Sequence, residues 1–231
     1  MRAIWTDLGA MDYLECCALQ RQIAEGVAAG TIPDSLCFVE HPPVLTLGAG
    51  FHERNLILAR DEYARRGIGI APTDRGGDVT YHGPGQVVVY PIFDVSRHGR
   101  DLHRWLRDLE EAVIAALRGY GLAAERRAPH TGVWLPPMGE KPWRKIAAIG
   151  IKVKRWVSTH GIALNCANDL SPFEMIVPCG IEGAAVTSIS QELARDVAPG
   201  EVRGGLVKAF AEVFQLEIEQ ESRSLLETSL V

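Results

Sequence analysis

Two residues stand out by their types and their settings. Cys179 lies between Pro178 and Gly180, at the end of the stretch DLSPFEMIVPCG (169–180). Proline and glycine together let a loop hold a side chain out of its surroundings. A thiol attacks as the thiolate, so it needs access and a positive neighbour. Upstream, Lys145 opens the apolar run IAAIGI. A lysine there either snorkels out as ordinary strand-end charge or points into a cleft. Cys179 is then a candidate nucleophile or an inert turn cysteine, and Lys145 is the chief cation available to it. The sequence also offers such a site two histidines, His82 and His160. A lone histidine near a strand more often serves structure than catalysis. Cys16, Cys17 and Cys37 sit in apolar, element-like contexts and read as small core residues. Cys166 follows a strand and is open to either reading.

A second stretch supplies a wall for a pocket. Arg75 to Pro91 reads RGGDVTYHGPGQVVVYP. Gly76, Gly77, Gly83 and Gly85 punctuate it, with Tyr81 and His82 between the glycine pairs and Arg75 ahead of them. Glycines permit positive φ and close backbone approach. The β-branched run VVVYPIF that follows is of buried-strand type. A polar loop anchored to a core strand is a common way to build a binding wall; the alternative is a glycine-rich hairpin without chemistry. Gly150 and Gly161 interrupt two strands that ought to pair, which marks bulges or a close approach by a ligand.

Other chemistries lack their residues. No GK[ST] ends the glycine loop, and no dinucleotide fingerprint, GxSxG elbow or HExxH helix occurs. Paired carboxylates at catalytic spacing are not evident. The five cysteines form no CxxC, which argues for free thiols in a reducing, cytoplasmic setting and against a structural zinc site. No apolar run of about 18 residues spans a membrane, and the N-terminus has no apolar signal core. The net charge of −5 disfavours a general nucleic-acid role. Between Arg126 and His160, however, eight basic residues face only Glu140, so this segment carries +7 and the remainder −12. It is either a solvated charged face or a docking surface for an acidic partner.

At 231 residues and 47% hydrophobic, the chain can bury one good core. The elements that must position these residues follow from periodicity. Strands are expected over 2–8, 35–39, 44–47, 68–71, 87–93, 122–126 and 131–135, and as a hairpin over 145–153 and 155–165. Helices are expected over 11–29, 61–66, 102–120, 190–194 and 201–214. His41 beside Pro42 and Pro43 reads as a turn residue, and 135–143 as a proline-rich surface loop. Strands in runs with helices inserted predict an α+β fold with a mixed or antiparallel sheet and flanking helices. The expected organisation is a single catalytic domain over 1–216 and a loosely held C-terminal tail over 217–231.

RGGDVTYHGPGQ, KIAAIGIKV, HGIALNC and DLSPFEMIVPCG, in that order, resemble the lipoyl(octanoyl) transferase family. Weaker similarity at 8–20 and in EHPPVLTLG extends the match over most of the chain. The resemblance implies the α+β catalytic domain shared with biotin and lipoate protein ligases. It implies transfer of an octanoyl group from acyl carrier protein to a lysine of lipoyl domains, those of 2-oxoacid dehydrogenase complexes and of glycine cleavage H protein. It implies Cys179 as the acyl-thioester nucleophile and Lys145 as the partner that lowers its pKa, with His82 in support. Arg75, Gly76, Gly77, Asp78, Val79, Thr80, Tyr81, His82, Ala148, Ile149, Gly150, Gly161, Ile162 and Ala163 would line the substrate site, where exposed N–H groups can form an oxyanion hole. A thioester donor is already activated, so neither ATP nor a metal is implied. The rivals are an ATP-dependent lipoate or biotin ligase of the same fold, in which Cys179 has no role, and a non-catalytic acyl-carrier-binding module.

Overall fold

The computed structural model describes residues 1–177 and 185–228. A nine-stranded mixed sheet runs through them: β12 (Glu217–Gln220), β1 (Arg2–Ala10), β2 (Asp34–Glu40), β6 (Gln86–Ile92), β10 (Val157–Asn165), β9 (Arg144–Lys154), β8 (His130–Leu135) and β7 (Glu125–Arg127), with β11 (Ala185–Val186) added beside β9. A three-stranded sheet, β4 (Gly69–Pro72), β3 (Val44–Leu47) and β5 (Val79–His82), carries the glycine loop. The α+β expectation holds: β1 runs parallel to β2 and β12, whereas β2, β6, β10, β9 and β8 alternate antiparallel.

Each face of the large sheet has its own helices. On one, α3 (Leu102–Arg118) and α5 (Pro199–Phe214) cover a core that holds Trp105, Leu109, Leu117, Phe210, Val89 and Leu164. Asp101 caps α3 through the N–H groups of His103 and Arg104. On the other, α1 (Tyr13–Ala29), capped by Asp12 and ended by Gly30 in the left-handed region, packs Cys16, Leu19, Ile23 and Val27 against Cys37, Val88 and Tyr90. The shorter helices are α2 (Arg60–Arg65), α4 (Ile189–Leu193) and α6 (Arg223–Thr228).

Two expectations need correction. Residues 122–124 are not strand, because Leu122 N–H closes the end of α3 on the Leu117 carbonyl (3.2 Å) and β7 begins only at Glu125. The chain after 216 is not a loose tail among the described residues. Residues 217–220 pair with Arg2–Trp5 as the sheet's edge strand, and Leu226 is buried in the α1-side core. That segment completes the hydrogen bonding of β1, which would otherwise be an open edge.

Candidate active site

Antiparallel pairing of β9 with β10 sets Gly150 opposite Gly161 and Ala148 opposite Ala163. The tight turn between these strands places Arg155 and Trp156 at positive φ, as a two-residue hairpin requires. Arg75–Gly77 then crosses the sheet: Gly76 N–H donates to the Ile151 carbonyl (2.8 Å). A Cβ on Gly150 would stand 2.7 Å from the Gly76 carbonyl, so glycine permits this crossing. The two strand glycines thus admit the chain's own backbone, Gly76 over Gly150 and Val89 beside Gly161, where a ligand was one expectation.

The crossing strap separates two spaces. Outside it, a cleft of about 610 Å³ runs along β9 from Lys145 to Val153 and is walled by Gly76, Gly77, Asp78, Ile149, Gly150, Leu102 and Leu106. Inside it lies a small cavity of about 40 Å³ lined by Arg75, Gly76, Gly77, Thr80, His82, Ala148, Ile149, Gly150, Gly161, Ile162 and Ala163. Most of the expected substrate-site residues therefore meet. Val79 and Tyr81 do not join them, because alternate residues of β5 face opposite ways. They are buried in a separate cluster with Leu45 and Ile176, and Tyr81 packs edge-on against Phe173.

Asp78 acquires a role. Its carboxylate accepts from Asn55 Nδ2, from Val79 N–H (2.8 Å) and from His52 N–H (3.4 Å). It ties the glycine loop to the 48–55 segment, whose Asn55 carbonyl in turn accepts Val177 N–H (2.9 Å).

Lys145 is buried at the start of β9, with its ammonium 4.9 Å from the centre of the Trp134 ring. Gly132 makes room for it. At φ +120° this residue suits glycine, and a Cβ there would lie 2.6 Å from the Ala147 carbonyl and 3.0 Å from Lys145 Cε. The Gly132 N–H donates to Glu110, a fully buried carboxylate that also takes Arg107 (2.7 Å) and Arg126 (3.2 Å). Sequence reasoning missed Gly132; the available signal was a glycine inside an apolar strand next to the lysine's own. On the other side of Lys145, Val186 pairs with it and Thr187 N–H donates to its carbonyl (3.0 Å). Cys179 lies outside the described residues.

The back wall of the inner cavity is aromatic and polar. Tyr13 stacks on His82, with His41, Tyr90 and His160 around them. His41 is no simple turn residue: it is buried and bridges the Met11 carbonyl and Tyr90 Oη, both at 2.8 Å. His160 meets Asp74 through Nε2 (2.9 Å), and burial lowers its pKa against the opposing pull of that carboxylate. His82 is held neutral, its pKa pushed down to about 3 by burial and by the neighbouring His41 and Arg75. Both its ring nitrogens are engaged, Nδ1 with Gln86 (2.8 Å) and Nε2 with Thr46 (3.3 Å). Such a ring holds shape and is poorly placed to collect a proton. Cys166 is buried, and burial pushes its thiol up to about 12.

The basic segment is less free than its count implied. Arg126 pairs with Glu110 and Glu111, Arg144 and Lys141 with Glu192, and Lys152 with Asp74. Arg144 also clamps the 135–143 loop through the carbonyls of Pro136 and Pro142. Lys154 and Arg155, both exposed at the hairpin turn, have no acidic partner among the described residues, and Arg100 lies over Trp156 beside them. The positive rim is therefore the hairpin tip and the start of α3, at the far end of the cleft from Lys145.

Residues 12–211 match the model of the lipoyl protein ligase A/B catalytic domain. An octanoyltransferase of Geobacter metallireducens is 46% identical over 204 residues, 88% of this chain and 90% of that protein. One of Chloroflexus aurantiacus is 45% identical over 219 residues, 94% and 96% of the two chains. Among solved structures, a bipartite lipoate protein ligase of Thermoplasma acidophilum, described with its E2 lipoyl domain, superposes with a TM-score of 0.73 at 20% identity, covering all of this chain and 90% of the other. Among the described residues, no helix is long and apolar enough to cross a membrane.

Proposed function

The chain belongs to the lipoyl protein ligase A/B catalytic-domain family, and we infer that it is an octanoyltransferase acting in protein lipoylation. The donor is octanoyl-acyl carrier protein, and the acceptors are lysines of lipoyl domains, those of 2-oxoacid dehydrogenase complexes and of glycine cleavage H protein. The Cys179 thiolate attacks the donor's thioester carbonyl, the carbon–sulfur bond to the carrier breaks, and the carrier leaves as a thiolate that takes a proton from the Lys145 ammonium. The acceptor lysine then attacks the acyl-enzyme, Cys179 leaves as the thiolate, and Lys145 handles the amine's proton. The setting is the cytoplasm, and the acyl group arrives activated, so the reaction uses neither ATP nor a metal. What carries this reading is the placement of Lys145. It is buried at one end of a long apolar cleft, against β11, the strand by which the chain leaves the segment that holds Cys179.

Incubating the protein with octanoyl carrier protein and no ATP is expected to raise its intact mass by one octanoyl group, mapped to Cys179 and released by hydroxylamine. No adduct, together with ATP-dependent attachment of free octanoate, assigns the chain to the ligases instead.

The rim of Arg100, Lys154 and Arg155 is the surface for acidic protein substrates. Exposed charges are screened beyond about 10 Å at 0.1 M salt. The apparent KM for carrier protein is expected to rise with salt, and that for a small octanoyl thioester to stay constant. Lys154→Glu with Arg155→Glu should reproduce the high-salt KM at low salt. Equal salt sensitivity for both donors rules this docking surface out.

A further inference from the structure

Two buried side-chain amides join the two ends of the site. Gln86 opens β6 and Asn165 closes β10, where the strands pair them directly. Both side chains are buried, and the residues next to them, Val87, Val88 and Val89 on β6 and Ile162, Ala163 and Leu164 on β10, are apolar. A buried amide is tolerated when its donors and acceptors are met, and here they are. Gln86 Nε2 donates to the Tyr81 carbonyl (3.1 Å) and to Asn165 Oδ1 (2.9 Å); Gln86 Oε1 faces His82 Nδ1 (2.8 Å). Asn165 Nδ2 donates to the Thr187 carbonyl (3.0 Å), and its Oδ1 also accepts from Asn168 (3.2 Å).

Two backbone carbonyls fix the direction of every bond. A carbonyl only accepts. The Tyr81 carbonyl therefore requires the nitrogen of Gln86 on its side, which turns Oε1 to His82 and obliges His82 Nδ1 to carry the hydrogen. The neutral ring then presents a bare Nε2, which takes the Thr46 hydroxyl hydrogen (3.3 Å). Thr46 Oγ1 in turn accepts from Arg75 Nε (3.1 Å) and Nη2 (2.9 Å). At the other end, the Thr187 carbonyl requires the nitrogen of Asn165. The chain runs one way, from the Arg75 guanidinium through Thr46, His82, Gln86 and Asn165 to Thr187, whose own N–H holds the Lys145 carbonyl.

We propose that Gln86 and Asn165 are positioning residues that lock the His82 tautomer on the inner cavity and pin Thr187 against the main chain of Lys145, so that cavity and cleft keep one geometry. In its kinetic consequence the proposal rests on the octanoyl-transfer reading. The variants are Gln86→Met and Asn165→Leu. Where Asn165→Leu does not fold, Asn165→Asp replaces it, measured at a pH where the new carboxylate is ionised and cannot donate to Thr187. Three signals are read from each: the ¹⁵N resonances of the His82 ring, hydrogen exchange of the Thr187 amide, and kcat and KM with a small octanoyl thioester donor.

Both sites are expected to speed Thr187 exchange and to lower kcat about tenfold each, what one lost buried hydrogen bond is worth, with KM within about twofold. Gln86→Met should lose the fixed Nδ1–H tautomer of His82, and the Asn165 variant should keep it. Folded variants with wild-type Thr187 exchange and kcat overturn the proposal, as does a loss confined to KM. If the wild type transfers no octanoyl group, the functional reading falls, and the exchange and ring signals from the same samples still decide whether the chain positions Thr187.

Discussion

Replacing Cys179 by Ala is expected to abolish the octanoyl adduct and to reduce transfer to lipoyl domains by at least about a thousandfold. Removing a covalent nucleophile leaves only the contribution of binding and orientation. Cys166→Ala supplies the internal control. That thiol is the nearest rival in sequence, yet it is buried, faces the Leu164 carbonyl (3.6 Å) and is held protonated by burial, its pKa pushed up to about 12. Its substitution should leave adduct and rate at wild-type levels. Cys16, Cys17 and Cys37 are buried and shifted upward for the same reason. The checks are intact mass after incubation with octanoyl carrier protein and the transfer rate. A Cys179→Ala protein that still carries a hydroxylamine-sensitive octanoyl group would remove Cys179 from the mechanism.

Lys145→Ala is expected to slow transfer by about a hundredfold or more and to move the titration of Cys179 upward. A free thiol titrates near ~8.5, so only about 3% is thiolate at pH 7. An ammonium within ~4–6 Å favours the thiolate and lowers that pKa, against burial, which raises it. Alkylation of Cys179 by iodoacetamide in the wild type should therefore show a midpoint below the free-thiol value. Without the ammonium the midpoint rises and the thiolate fraction at pH 7 falls. Once the midpoint lies above pH 7, alkylation there slows about tenfold for every further pH unit it climbs. Gly132→Ala should act in the same direction, since its Cβ would crowd Lys145 Cε and the Ala147 carbonyl. Lys141→Ala should do neither, because Lys141 is exposed and turned toward Glu192 at 3.8 Å. The measurement is the rate of labelled Cys179 peptide formation against pH. An unchanged midpoint in Lys145→Ala would take lysine out of the activating role. His82 would not inherit it, as its ring is neutral with both nitrogens engaged.

Much of the architecture was legible along the chain because it depends on neighbours in sequence. Asp12 and Asp101 cap their helices through N–H groups two and three residues away, Gly30 ends α1, and the strand pair around Gly150 and Gly161 follows from a short turn. The chemistry-bearing types, a cysteine in a Pro-Cys-Gly turn and a lysine opening an apolar strand, were equally plain, and the order of four motifs carried the family. Side-chain direction was not. Val79, Thr80, Tyr81 and His82 read as one loop, yet the pleat sends Thr80 and His82 to the cavity and Val79 and Tyr81 to a separate core.

What the tertiary structure alone decided are the pairings between distant segments. Four of the eight clustered basic residues meet carboxylates at 74, 110, 111 and 192, so half of a charge that looked local is compensated from elsewhere. Residues 217–220 become an edge strand only because β1, more than two hundred residues earlier, offers unpaired backbone. Gly132 gains its meaning from Lys145 and Glu110, and Gln86 from Asn165, 79 positions away. Capping and turn formation are set by a few consecutive residues. A hydrogen bond or ion pair across the fold exists only once the chain has closed the loop between its partners, and no local pattern records it.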